Sequence, residues 1–448
     1  MRTAPFEGHT TITTIERPHA PKRWTRTAAV LGAGALAAAM TLGIGNASAD
    51  TVDPTPIPAG ADPTGVAITP DGARAYVTNW GAGAVSVINT TDNTVTATVG
   101  VGSLPQEVAI APNGARAYVT NRGSSSVSVI DTGDNTVTAT IGVGDGPVGV
   151  AFTPDGGRAY VANWNTGTVS VINTSDNTVD PAPIAVGGSP WAVAISPDGA
   201  RAYVSDRNGN TVSVINTSNN TVNPAPITVG QGPSSIAFTP DGTRAYVVNQ
   251  ESNSVSVIDT SDNTVTATIP VGQLPYQIAI TPDGTRAYVA NQTDDTVSVI
   301  NTSDNTVTAI DLPVGGRPFG VAITPDGLRA YVTNSDNATV SVITIEIAPT
   351  LTGVPSAGVL GQPYIHAFIV TGQPAPTVTA VGALPAGLTL TESGVLSGTP
   401  TEAGTFAVTF TASNGIGTPA TLDAILTVTA APEPPVTGSL GSLGNFGS

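Results

Sequence analysis

The chain has 448 residues, including 50 glycines and 37 prolines; charged residues make up 10% and the formal net charge is −17. Such a length exceeds one small core, and its Val, Ala and Ile content excludes disorder, so two or more domains of short strands and turns are expected. Cysteine is absent, which excludes disulfides, thiolate metal sites, a cysteine nucleophile and a lipidated N-terminal cysteine.

Residues 1–49 read as a signal peptide. Lys22, Arg23 and Arg26 form a basic flank, Thr27 to Gly45 is rich in Ala, Gly and Leu, and Ala47-Ser48-Ala49 offers small residues for cleavage before Asp50. An uncleaved anchor competes with this reading, because a run of about 20 apolar residues spans a bilayer. The weak hydrophobicity of Ala and Gly and the cleavage signature favour removal, and no second apolar run follows. Removal subtracts five basic and two acidic residues, leaving 10 arginines, no lysine and 30 acidic residues, a net charge near −20. A surface of that sign repels nucleic acid and anionic lipid, so neither is expected as a partner. The mature chain is expected outside the cell or at its surface.

From Asp50 onward internal repetition dominates. An Arg-Ala-Tyr-Val phrase occurs seven times, with its tyrosines at 76, 118, 160, 203, 246, 288 and 331, steps of 42 or 43 residues. A period near 40 with strand-like content indicates propeller blades. The first unit holds four runs: Gly65–Thr69 (strand a), Arg74–Thr78 (b), Val85–Asn89 (c) and Thr94–Val99 (d). Pro70-Asp71-Gly72 turns a into b, and Thr90-Thr91-Asp92-Asn93 turns c into d. Alternation within the strands is weak, as expected for a sheet covered on both faces. The seventh unit stops after strand c, near Ile343. The mature N-terminus, Thr51-Val52-Asp53-Pro54-Thr55-Pro56-Ile57, reads like strand d of the third unit, Thr178-Val179-Asp180-Pro181-Ala182-Pro183-Ile184. The chain start is therefore expected to supply the missing strand and close a seven-bladed ring over residues 50–347, which removes two sheet edges. The expected fold class is all-β, a seven-bladed β-propeller closed by the mature N-terminal strand and followed by a sandwich.

Arg-Ala-Tyr-Val-Thr-Asn at 74–79, 116–121 and 329–334, with the Val-Ser-Val-Ile-Asn-Thr and Asp-Asn-Thr-Val phrases, resembles the YVTN family of β-propeller repeats. The resemblance implies an extracytoplasmic or surface-layer-like protein and implies no single activity. Residues 348–430 lose the period, and strand-like runs at Tyr364–Val370, Thr377–Val381, Gly387–Leu390, Phe406–Ala412 and Ala424–Val428 read as a small β-sandwich. Leu384-Pro385-Ala386-Gly387-Leu388 and Gly394-Val395-Leu396-Ser397-Gly398-Thr399-Pro400 resemble the immunoglobulin-like, cadherin-like domains of bacterial surface proteins, which implies a spacer or adhesion role. Residues 431–448 read as a flexible Pro-, Gly- and Ser-rich tail.

Chemistry is sparse. His9 and His19 lie in the leader and His366 in the second domain, so the mature propeller has no His, Lys or Cys. That excludes a Ser-His-Asp triad, a His-ligated metal and a Schiff-base lysine, and no cofactor or metal is expected. Carboxylate-only catalysis remains as an alternative, with Glu107 read as preceding strand a of unit two and Glu251 in the b–c loop of unit five; a glycosidase or lyase would need two carboxylates some 5–10 Å apart. The repeated turn aspartates and repeat arginines, Asp71 and Arg74 for example, read as turn chemistry with possible ion pairing. The d–a and b–c loops vary between units and share one rim. On it fall Trp80, Arg122, Trp164, Trp191, Arg207, Tyr276, Arg317 and Phe319, residue types that concentrate at binding hot spots. These eight form the candidate ligand-binding set; the competing reading has them plug the channel mouth or cap blade ends. The expected function is a non-catalytic surface binding or adhesion module for an extracellular glycan or protein, with a self-associating surface-layer component as the alternative.

Overall fold

The computed structural model describes residues 50–308 and 312–431. The expected signal peptide and the expected tail beyond Ala431 lie outside the described residues. In unit one the strands are Pro63–Ile68, Arg74–Asn79, Ala84–Asn89 and Thr94–Gly100, hydrogen-bonded in that order within one antiparallel sheet. The same a-b-c-d order recurs in seven sheets, and strand a packs on strand a of the neighbouring blade all the way round.

The turns form for the reason their residues suggest. Asp71 Oδ1 accepts from the Thr69 hydroxyl at 2.5 Å and the Ala73 amide at 3.0 Å, while Gly72 takes φ = 71°. Those bonds, the Thr69 hydroxyl first, hold the Asp71 carboxyl below its ordinary range. The anticipated pairing of turn Asp with repeat Arg is not what the arginines do. Arg116 Nη1 donates to Thr174 O of the next blade at 2.8 Å, and Arg158 Nη1 to Thr217 O at 2.6 Å. Because the turn satisfies its own carboxylate, each guanidinium is left to bridge two blades. Among the described residues the ion pairs are Arg286–Asp50 and Arg317–Asp336.

Blade cohesion is otherwise apolar. Tyr76, Val85 and Val87 of blade one pack on Val108, Ala117, Val119 and Ile130 of blade two, and equivalent clusters fill the other junctions. Both faces of each blade are thereby buried, which is why strand alternation is weak. The repeat tyrosines are fully buried, and six of the seven hydroxyls reach the c–d turn of the next blade. Tyr76 donates to Asn135 Oδ1 at 2.6 Å, Tyr118 to Asn177 Oδ1 at 2.7 Å, and Tyr331 to Asn93 Oδ1 at 2.7 Å.

The chain start closes the ring. Thr51–Val52 and Ile57–Pro58 pair with strand c of unit seven, Thr339–Thr344, with Thr51 opposite Thr344 and Ile57 opposite Val340. Unit seven has no c–d turn to receive Tyr288 of blade six, and Asp50 takes that place. Asp50 accepts from Tyr288 Oη at 2.6 Å, from Arg286 Nη1 at 2.8 Å and from the Glu346 amide at 2.9 Å.

The second domain begins with Ile347–Thr352, a strand the sequence reading did not include, paired with Ile369–Gln373. Gly404–Ser413 and Ala420–Thr429 form its longest pair, and Thr377–Val381 adds to Gly404–Ser413. Phe368, Leu396, Val408, Phe410 and Leu426 fill the space between its sheets. Gln373 Nε2 donates to Leu328 O and Ile345 O at 3.0 and 3.1 Å, tying this domain to the last blade.

Candidate ligand-binding rim and central channel

Trp80, Arg122, Trp164 and Arg207, each at the first varied position of a b–c loop, meet Trp191, Tyr276 and Phe319, each following a strand-a proline. Arg122 occupies the centre, its guanidinium carbon 5.7 Å from the Trp80 ring, 5.8 Å from Trp164 and 5.6 Å from Trp191. Arg207 lies 5.1 Å from the Trp191 ring. The rings themselves form a chain: Trp164 meets Trp191 edge-on at 4.9 Å, Trp191 meets Tyr276 at 5.8 Å, and Tyr276 lies 3.6 Å from Phe319. Seven of the eight sequence-derived candidates are therefore one contiguous cluster. Arg317 is the exception: it makes no ring contact among the described residues, its ion-pair neighbour is Asp336 at 4.0 Å, and both side chains are mostly exposed.

Burial divides the cluster. Trp191 and Tyr276 are 7% and 8% exposed and, with Val148, form a small apolar core over the channel. Trp80, Arg122, Trp164, Arg207 and Phe319 remain half-buried. The plug reading therefore describes Trp191 and Tyr276, while the surface that a ligand could reach belongs to the other five. Burial, with the charge of Glu107 as a smaller contributor, pushes the Tyr276 hydroxyl up, and Arg207, Arg122 and Arg317 oppose it.

Beneath the plug lies a cavity of about 140 Å³ whose lining includes Glu107, Trp191, Ser234, Ser235, Tyr276 and Gln277. Glu107 sits inside strand a of blade two, Pro105–Ile110, where it was expected to precede the strand. Its equivalents in the other blades are Gly65, Gly149, Ala192, Ser235, Gln277 and Gly320, so most inward positions are small. The glycines permit the strands to close on the axis: a Cβ on Gly149 would stand 2.8 Å from Trp191 O, and one on Gly65 would stand 3.0 Å from Glu107 Oε1. Into this narrow space Glu107 and Gln277 project from opposite parts of the ring and meet. Gln277 Nε2 donates to both carboxylate oxygens at 3.2 Å, and Gln277 Oε1 accepts from the Val321 amide at 2.8 Å. Burial raises the Glu107 carboxyl to about 7, opposed only by the Gln277 bond and a backbone amide, with no cation contributing. Glu251 is exposed and does not line this cavity, so the two glutamates do not form an acid–base pair there. Sequence reasoning missed Gln277 because an isolated glutamine in a strand carries no signal of its own.

Ring closure, seven sheets and an appended sandwich define a β-propeller with an Ig-like domain. The family model "Lactonase, 7-bladed beta-propeller" matches residues 50–269 and again 218–351, and the Ig domain model He_PIG matches residues 344–429. The chain belongs to the lactonase-type seven-bladed β-propeller family. Among solved structures it is similar to the hydrazine synthase of Kuenenia stuttgartiensis, at 26% identity and a TM-score of 0.58, covering 63% of this chain and 95% of that one. It is also similar to a functionally unknown protein of Desulfotomaculum acetoxidans, at 22% identity and a TM-score of 0.54, covering 61% of this chain and 92% of that one, a likeness of fold alone. No curated protein matches the chain.

Proposed function

We propose that the protein is an exported, non-catalytic binding module whose propeller rim takes an acidic extracellular glycan. The observation that carries this reading is the Arg122 guanidinium held among three tryptophans. Half-buried indole faces suit sugar rings, and a guanidinium whose planar faces rest on aromatics keeps its N–H edges for a carboxylate or sulfate. Neither Arg122 nor Arg207 has a carboxylate partner among the described residues. The Ig-like domain would then act as a spacer or second adhesive element.

A glycan array with residues 50–448, read beside Trp80→Ala and Arg122→Gln, tests the reading. Binding of uronate- or sulfate-bearing glycans that weakens by about 2 kcal/mol in each variant supports it. Binding that both variants retain overturns the assignment to this rim.

The family's lactonase name and the raised carboxyl of Glu107 favour a second reading, carboxylate-assisted hydrolysis in the channel. Against it, the cavity offers no histidine, lysine or second carboxylate beside Glu107. Turnover of a lactone panel that disappears in Glu107→Gln would replace the first reading with the second.

A further inference from the structure

The cavity beneath the aromatic plug has a chemistry of its own. Its one carboxyl is that of Glu107, met by the Gln277 side-chain amide and a backbone amide, both neutral. Tyr276 is the other titratable side chain of the lining, and burial keeps it in its neutral form. Arg122 and Arg207, which stand near Trp191 on the rim, are not part of the lining. Ser234 Oγ is turned away, donating to the Tyr276 carbonyl at 2.8 Å. The lining therefore sets one carboxyl beside two aromatic rings, Trp191 and Tyr276, with no cationic side chain among its residues. Glu107 is part-buried and has only neutral partners, so a cation beside it would stabilise its charged form. The volume of about 140 Å³ compares with the roughly 150 Å³ of an apolar cavity that admits benzene, so a guest of about six heavy atoms fits.

We infer that this cavity is a binding site for a small organic ammonium ion, its positive charge on Glu107 and its alkyl groups against Trp191 and Tyr276. The site shares the Trp191 and Tyr276 rings with the rim cluster, but its charged group, Glu107, belongs to the cavity alone and is not among the rim residues. An alkylammonium of this size satisfies the carboxylate and packs its alkyl groups on both rings, whereas an inorganic cation has no alkyl groups with which to fill the space. Since protonation of Glu107 removes the anion, binding must weaken as pH falls through about 7.

Isothermal titration of residues 50–448 with methylammonium and tetramethylammonium chlorides tests the inference, with potassium chloride and tetrabutylammonium chloride as comparisons. The expected result is saturable binding of the small ammonium ions near pH 8, weaker by about tenfold or more near pH 5.5. Glu107→Gln, which keeps shape and removes charge, should bind at least tenfold more weakly than the parent. Equal heats from potassium or from the oversized tetrabutylammonium, no binding at millimolar concentration, or affinity independent of pH would each overturn it. The pH series on the unaltered protein decides the matter even where Glu107→Gln fails to fold.

Discussion

Replacing Asp50 by Ala should loosen the ring at its seam by an amount the structure permits us to work out. The Asp50 side chain is 4% exposed and accepts from Arg286 Nη1, Tyr288 Oη and the Glu346 amide. Deleting it withdraws the acceptor from all three. Arg286 keeps one contact, since its Nη2 donates to Glu346 O at 2.5 Å. Breaking a buried ion pair from one side costs about 3–5 kcal/mol, and this retained bond places the loss near the lower end, at about 3 kcal/mol. A ring of ~300 residues carries an unfolding entropy of roughly 0.6 kcal/mol/K, so Tm should fall by about 5 °C. Asp50→Asn supplies the control. Tyr118 and Tyr331 already use Asn177 and Asn93 as acceptors, so an asparagine at 50 should restore the tyrosine bond and cost no more than ~1.5 kcal/mol. Differential scanning calorimetry of residues 50–448 measures both. If Asp50→Ala melts within a degree of the parent, or if Asn is as damaging as Ala, the seam is not held as described.

Glu107→Gln should remove a pH dependence. A glutamate whose folded-state carboxyl is raised to about 7 binds its proton more tightly folded than unfolded, so stability is lost as pH rises from the ordinary carboxylate range to about 7. The parent should be less stable at pH 8 than at pH 4.5 through this group, by about 3 kcal/mol, and urea titrations of the variant should lack that contribution. Trp191→Ala should destabilise by about 3 kcal/mol, because the ring is 7% exposed and packs against Trp164 and Tyr276; Trp80→Ala, half-buried, should cost under ~1.5 kcal/mol in the same denaturation assay. Tyr118→Phe removes one hydroxyl bonded to Asn177 and should cost about 1 kcal/mol while leaving circular dichroism unchanged.

The propeller was legible in the sequence because its signals are local and repeated. Pro70-Asp71-Gly72 makes the same turn wherever it recurs, and the absent outer strand of unit seven reappears, recognisably, at Thr51-Val52-Asp53-Pro54. Each signal rests on φ preferences and side-chain-to-backbone bonds within five residues, such as Thr69 to Asp71. The rim candidates were legible in part, since loop variation against a constant framework picks out Trp80, Arg122 and Trp164. Which of them a ligand can reach was not legible. Trp191 and Tyr276 follow the strand-a proline as Thr64 and Ser234 do, yet their size makes them fill the channel mouth.

The sequence by itself determined the number of blades, the turns and the closing strand, because those follow from short-range chemistry repeated at a fixed period. Only the tertiary structure decided that Glu107 meets Gln277 from a blade 170 residues away, and that the repeat arginines bridge blades instead of pairing with their own turns. It also made Asp50 the counterpart of six turn asparagines. Those outcomes depend on ring closure, which brings distant positions to one axis or one seam, and on burial, which raises the carboxyl of a glutamate that no cation meets.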